Sequence, residues 1–499
     1  QPILSVIATD GSGMTLSSAQ YVNISGISLN SSSAYGLYIV NSSNITLSTM
    51  TVTSTAGSGI FISNGDNVTM SSMTVSNTAG TGVVITEGSI NGTMSNSTVS
   101  NITSANAYGV FIGKEFTSVA GANTGWTFDD VDITTTGNAA FDCSAASNSL
   151  TLKNSTISGA TGTTGHGINI TQCDTVTLTN NTTSSNAKNG VNIATVSNLT
   201  ISGSTSHTNT QNGFSLSGVT TGTLSSNTAY SNTQSGISLS ASTSTNVTIS
   251  GNTTYSNTQS GIVATAPGTG LTVSGNKSYN HTASGQSSGF GYSISSTAPT
   301  LTNNISYGNR IGVIVVATGA SVANPVIRNN TVYNSSSAAL TFVESGQNTI
   351  TGVTLQNNTF TTATNGSVLS YAGGDGPTWT SSDYNNFQLV GTSAVVLTGS
   401  ATLAAWQTAS SQDANSLSVD PLFTATTSGS EDFRLQTSST LIDAGHPTVI
   451  TPTTDYAGTA RPYGASGRLD IGAYENILFL VSTNVSLSGT AAYDSTNGH

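Results

Sequence analysis

Between Ile24 and Phe360 the chain repeats one phrase fourteen times: an apolar strand, a small residue or Asn two to three positions on, a second short strand, then Gly and an apolar pair. Anchored on its apolar residue, the phrase starts at Ile24, Leu47, Met70, Met94, Phe128, Leu152, Leu178, Ile201, Leu224, Ile249, Val273, Leu301, Ile327 and Leu355, mostly 23 to 28 residues apart. In the cleanest repeats a Gly falls twelve residues past the anchor, as at Gly59, Gly82, Gly190, Gly213, Gly236 and Gly261. A fixed period of this length predicts stacked units, each burying its apolar face against the next. Leucine-rich repeats share the period but alternate strand with helix. Here Ser, Thr, Asn and β-branched residues fill every segment and no helical apolar spacing occurs. The expected fold is all-β: a single-stranded parallel β-helix of about fourteen coils. At roughly 4.8 Å per coil it makes a rod of about 65 Å.

Equivalent residues of successive coils should lie above one another. Five past the anchor the column runs Leu29, Val52, Val75, Val99, Ile133, Ile157, Thr183, Ser206, Ala229, Thr254, Ser278, Ser306, Val332, Phe360, which reads as an inward face, bulky at both ends and small in the middle. About three past the anchor the second half carries Asn181, Asn227, Asn252, Asn276, Asn304, Asn330 and Asn358. Stacked amides can hydrogen-bond along such a ladder, so this column is read as structural. One position beyond the inward column stand His207, Tyr230, Tyr255, Tyr279, Tyr307 and Tyr333. Strict alternation points these rings outward, as a contact surface for sugar rings or a neighbouring subunit, unless a turn intervenes and they stack inside.

Composition narrows the class. Only 6% of residues are charged, against roughly 25% in ordinary globular proteins, yet 35% are hydrophobic and placed periodically. The chain should therefore fold, with a surface of hydroxyls and amides. The net charge is −12, with nine basic residues, so no basic patch exists to neutralise phosphates or anionic membranes. The longest apolar run, Ile477 to Val481, is too short to span a bilayer.

Gln1 in place of Met is read as a mature N-terminus after signal-peptide removal, hence export to the cell surface or beyond. Asn-x-Ser/Thr sequons exceed twenty, including Asn23, Asn44, Asn67, Asn101, Asn198, Asn246 and Asn484, acceptors only where the host glycosylates. Cys143 and Cys173 fall about one coil apart, within bridging range if the intervening excess sits at the right turn. They are too few for a thiolate metal site.

Candidate chemistry is sparse. A loop holding Lys114, Glu115 and Phe116 precedes Asp129, Asp130, Asp132 and Asp142. Such acids can bind Ca²⁺ or serve as acid and base in glycoside cleavage. Alternation should put Asp130 and Asp132 on one face and Asp129 on the other. The competing reading is solvated turn acids. His166, Lys188 and His207 lie on successive coils but in different columns; Lys188 occupies the place of Gln211, Gln234 and Gln259, an outward polar ladder. After Asp174 no acid appears until Glu344, and basic residues are nearly absent from the central coils, so an enzyme reading survives only around Asp129 to Asp142.

Past Phe360 the pattern changes. Ser382-Asp383-Tyr384-Asn385-Asn386-Phe387, Trp406, Asp413-Ala414-Asn415-Ser416, Asp420-Pro421-Leu422-Phe423, Asp432-Phe433-Arg434-Leu435, Ile442-Asp443-Ala444-Gly445, Asp455-Tyr456-Ala457-Gly458, Arg461-Pro462 and Asp470-Ile471-Gly472-Ala473-Tyr474-Glu475 follow in order. This run resembles the C-terminal module of secreted bacterial right-handed β-helix proteins. The repeats are similar to those of pectate-lyase-like proteins and of the periplasmic copper-binding accessory proteins of nitrous oxide reductase. The resemblance implies that Asp443, Asp455, Arg461, Asp470 and Glu475 tie turns together and close the end of the rod. It leaves function open, since the fold carries lyases, hydrolases, epimerases and adhesins.

The expected organisation is an N-terminal cap or edge segment (1–20), a parallel β-helix (21–370), a closing module (371–475) and a strand-like tail (476–499) able to pair with a neighbouring subunit. The functional expectation is a structural or adhesive surface protein that self-associates through end and tail contacts. The alternative is a polysaccharide-active enzyme or glycan-binding module. No cofactor is expected beyond a weak case for Ca²⁺.

Overall fold

The computed structural model describes residues 11–113, 123–285, 288–390, 400–448, 451–463 and 466–477. Its local logic is set by left-handed backbone residues that recur at the same places in successive coils. Two positions past the anchor the chain takes a left-handed conformation, at Thr49, Ser72, Asn96, Asp130, Asn154, Asn180, Gly203, Ser226, Gly251, Gly275, Asn303, Asn329 and Asn357, with φ between 46° and 64°. Asn, Asp and Gly tolerate this region best, which is why they cluster there. The turn rotates the chain from one strand into the next, so the anchor and the residues three and five past it all point inward.

Every coil stacks in parallel on the one before. Thr51–Thr53 pairs with Thr74–Ser76, Thr182–Ser184 with Thr205–His207, and Thr205–His207 with Thr228–Tyr230, residue for residue. That series of short strands runs from Ser28–Asn30 to Asn386–Gln388 and has fifteen members, one coil more than the repeat count. Pairing also begins earlier than residue 21: Met14–Ser17 already lies on Leu37–Ser48, and Trp379–Asp383 extends the rod past residue 370. The ends of the ladder thus fall outside the expected boundaries at both sides.

The recurring Gly is required by close approach. A Cβ on Gly59 would stand 2.7 Å from the carbonyl oxygen of Gly82, and one on Gly213 2.6 Å from that of Gly236.

One apolar core runs the length of the rod, from Met14 to Trp406. Its inward columns are as expected: Val52, Val75, Val99 and Ile133 at one end and Val332 and Phe360 at the other are fully buried. In the narrow middle the buried hydroxyls partner each other, Thr183 donating to Ser206 at 2.9 Å and Thr254 to Ser278 at 3.0 Å. The Asn column is a continuous buried ladder. Asn227 donates to Asn252 Oδ1, Asn252 to Asn276, Asn276 to Asn304, Asn304 to Asn330, Asn330 to Asn358 and Asn358 to Asn385, all at 2.9–3.0 Å. Each amide also donates to a main-chain carbonyl, as Asn252 does to Leu224 O at 2.9 Å. Main-chain groups at the turn, which the strand ladder cannot reach, are satisfied in this way. A second ladder sits eight past the anchor, Asn186, Asn209 and Asn232 passing bonds of 2.9–3.0 Å on to Asn257, and His281 and Asn309 continue the column.

The closing module departs from expectation in its placement. The rod's last coil is covered by residues 402–417: Trp406, on the helix Leu403–Ser410, donates to Asp413 at 2.9 Å, and Asp413 also accepts from Ser382, Asn385 and Ser416. The segment carrying Asp443, Asp455, Arg461, Asp470 and Glu475 instead folds back along the rod's side. Gly472 N donates to Asn357 O, Ala473 N to Thr331 Oγ1 and Asn303 Nδ2 to Thr454 O, at 2.6–2.9 Å.

Candidate functional site

The sequence acids do not converge. Asp130 is the left-handed turn residue of its coil (φ 58°), which breaks the alternation. Phe128 and Val131 therefore point inward, while Asp129 and Asp132 both lie outside. The expected split between Asp129 and an Asp130/Asp132 pair is thus incorrect. Asp129 pairs with Lys153 at 2.9 Å and accepts from Asn154 at 2.7 Å, partners that hold its carboxyl below the usual range. Asp132 accepts from Thr156 N at 3.1 Å. Asp142 belongs to another strand, Phe141–Lys153, is buried, and accepts from Asn169 at 2.6 Å; burial raises its pKa. Among the described residues no three His, Cys, Asp or Glu side chains come together as a metal site. Lys114, Glu115 and Phe116 lie outside the described residues.

His166, Lys188 and His207 serve different columns. His166 accepts from Asn189 N at 3.2 Å, and burial with the nearby Lys188 charge lowers its pKa to about 4. Lys188 follows the expected polar ladder, its carbonyl receiving Gln211 N, as Gln211 O receives Gln234 N. His207 stacks on Tyr230.

The tyrosine column points outward, but its surroundings differ from the expected open stripe. His207, Tyr230, Tyr255, Tyr279 and Tyr307 form one stack with centroids 4.7–5.0 Å apart and interplanar angles of 3–10°. Each inner ring has both faces covered by its neighbours, so it presents an edge and a hydroxyl to solvent rather than a face for a sugar to stack on. Lys277 Nζ lies 5.4 Å from the centroids of Tyr279 and Tyr307. The stack then runs under the closing module: Phe433 packs at 5.1 Å on Tyr307 and 5.4 Å on Tyr333, and Phe423 at 5.8 Å on Tyr333. Tyr307 is 4% exposed. This half of the column holds the module, as core.

Behind that contact lies a carboxylate knot. Glu475 accepts from Asp470 N at 3.0 Å and faces Arg461 at 3.5 Å; Asp470 accepts from Asp443 N and Asn476 N, and Asp455 accepts from Glu475 N. Burial pushes Glu475 up to about 7 and Asp470 to about 6 against the pull of Arg461. These residues brace the turns of the module.

A feature the sequence reading missed is the column just before the anchor. Thr46, Thr69, Thr93, Thr127, Thr151, Thr177, Thr200, Thr223, Thr248, Thr272 and Thr300 stand in unbroken register on an outward face. Two positions on, Ser48, Ser71, Ser95, Asp129, Lys153, Thr179, Ser202, Ser225, Ser250, Ser274 and Thr302 repeat beside it. The only charges in this grid are Asp129 and Lys153, which neutralise each other. A count at one position before each anchor reveals the column; in so Thr-rich a chain it does not stand out otherwise.

Of the sequons, Asn23, Asn67, Asn101, Asn198 and Asn246 are exposed and Asn44 is half-buried, accepting from Asn67 at 2.7 Å. Asn484 and most of the tail lie outside the described residues. The sulfurs of Cys143 and Cys173 are 3.0 Å apart in the core, neighbours on adjacent coils.

No helix among the described residues is long and apolar enough to cross a membrane. No curated protein matches the chain. Among solved structures, similarity extends to the pectate lyase Pel9A (13% identity, 83% of this chain and 88% of that one, TM-score 0.37). It extends also to the A-module of the Azotobacter vinelandii mannuronan C-5 epimerase AlgE6 (14%, 70% and 90%, 0.41) and to the Dettilon tailspike protein (14%, 61% and 59%, 0.35). The profile of right-handed β-helix regions matches residues 4–124 and 139–289, more than half of the sequence and squarely on the coils described above. The chain belongs to the right-handed β-helix family.

Proposed function

We propose that the chain is a structural or adhesive rod of an extracellular surface, which meets neutral, hydroxyl-rich partners such as glycans through its uncharged faces. The observation that carries this reading is the threonine column with its flanking Ser/Thr column. Along the rod the hydroxyls repeat at roughly 4.8 Å, and along each strand two residues apart at about 6.7 Å. Each hydroxyl both donates and accepts, and none brings a charge that must be desolvated. A periodic polyol can satisfy many such groups at once, so weak single contacts add along the rod.

The dispersal of the acids supports the same reading, since Asp129 and Asp132 are committed to structural bonds. A polysaccharide-active enzyme is the second reading. Asp142 favours it, as a buried carboxyl whose pKa burial raises from its ordinary value.

The test is co-sedimentation with particulate cellulose, chitin and mannan. A variant with Thr177→Lys, Thr200→Lys and Thr223→Lys places three charges on the grid without touching the core. It should lose about tenfold or more in apparent affinity for whichever polymer the wild type binds. Undiminished binding by the variant, or no binding by the wild type, overturns the proposal.

A further inference from the structure

We propose that the cleft where the closing module meets the rod binds a short neutral saccharide. It encloses about 360 Å³, within the range of small-ligand sites. Tyr333 and Thr362 line it from the rod, Gln388 from the last coil, and Asp420, Phe423 and Gln436 from the module.

Its polar groups are half used. Gln388 accepts from Thr361 at 3.0 Å through Oε1, which leaves its amide N–H groups as donors. Gln436 donates to Phe423 O at 2.8 Å, which leaves its carbonyl oxygen as an acceptor. Asp420 accepts from Leu422 N at 2.9 Å with one oxygen and keeps the other. Spare donors and acceptors that converge on one cleft can be paired by the hydroxyls of a ligand. Donors and acceptors beside the apolar surfaces of Tyr333, Leu422 and Phe423 match a sugar, with its ring of hydroxyls and its C–H face.

Charge decides which sugar. Among the described residues no Lys, Arg or His lines the cleft, whereas Asp420 does, in a chain of net charge −12. A uronate carboxylate would meet an acid with no cation to offset it. The ligand class is therefore neutral, in contrast to a uronan.

This inference deepens the glycan reading above but concerns a site separate from the threonine grid. Isothermal titration calorimetry of the full chain with cellohexaose, maltohexaose, mannohexaose, xylohexaose and hexagalacturonate tests it. At least one neutral hexasaccharide should bind and hexagalacturonate should not. Gln388→Met and Gln436→Met should each weaken binding about tenfold with an unchanged Tm. The threonine-grid variant should bind the soluble sugar like the wild type, so a failure of either reading is seen apart from the other. Silence from all four neutral sugars, wild-type affinity in both glutamine variants, or tighter binding of hexagalacturonate overturns the proposal.

Discussion

At the residue scale, His281 shows how an apparently chemical side chain can be a structural substitute. It holds the eighth position past the anchor, between Asn257 and Asn309, where its main-chain N–H donates to Asn309 Oδ1 at 2.8 Å. It is fully buried, its Nε2 meets no partner among the described residues, and burial lowers its pKa to about 4. The unfolded chain takes up this proton near the ordinary value of about 6.5, so the stability carried by the neutral ring is complete above that pH. It is lost as pH falls from 6.5 towards 4. His281→Asn should restore an amide to the ladder and remove this loss. The difference between variant and wild type in urea unfolding should grow by about 3 kcal/mol across that window, while parallel curves would show that His281 titrates alike in the folded and unfolded states. Glu475 and Asp470 contribute with the opposite slope, stabilising at low pH and losing this as pH rises towards 7, and the comparison cancels them. The ladder containing His281 went unread in the sequence, although Asn186, Asn209, Asn232 and Asn257 keep one distance from their anchors. Asp130 was misread because alternation holds only within a strand, and one left-handed residue resets it.

At the element scale, the coil was readable because each turn repeats the same steric demands at the same place. The docking of the closing module was not. Its motif is local in sequence, whereas the surface it covers, Tyr307, Tyr333, Thr331 and Asn357, comes from coils well before it in the chain, 142 residues earlier for the Thr331 contact. Nothing in either segment alone names the other. The hairpin Phe423–Ala425 with Asp432–Leu435 brings Phe433 onto those rings. Phe433→Ala should cost about 3–5 kcal/mol of module docking and, because coils depend only on their neighbours, leave the rod folded. Limited proteolysis should then cut within residues 421–476 while the β-sheet signal persists. Simultaneous loss of both would show that module and rod melt as one unit.

At the scale of the whole molecule, fifteen coils make a rod of roughly 70 Å with one end covered by residues 402–417. Strands at the other end begin with Met14–Ser17, and parallel strand edges invite pairing unless covered. The apolar segment from Ile477 is proposed as the strand donated to a second copy. Removing residues 476–499 should abolish fibres in negative-stain electron microscopy of the native protein; fibres of the same length without the tail would rule out that role.

The left-handed residue two positions past each anchor has one more consequence. Because Asn180 and Gly203 hold equivalent places, a gene can gain or lose the stretch between them and leave both flanking turns as they were. The molecule is in effect a ruler graduated in coils, and its length can drift over generations in whole steps while its two ends and the grain of its surface stay the same.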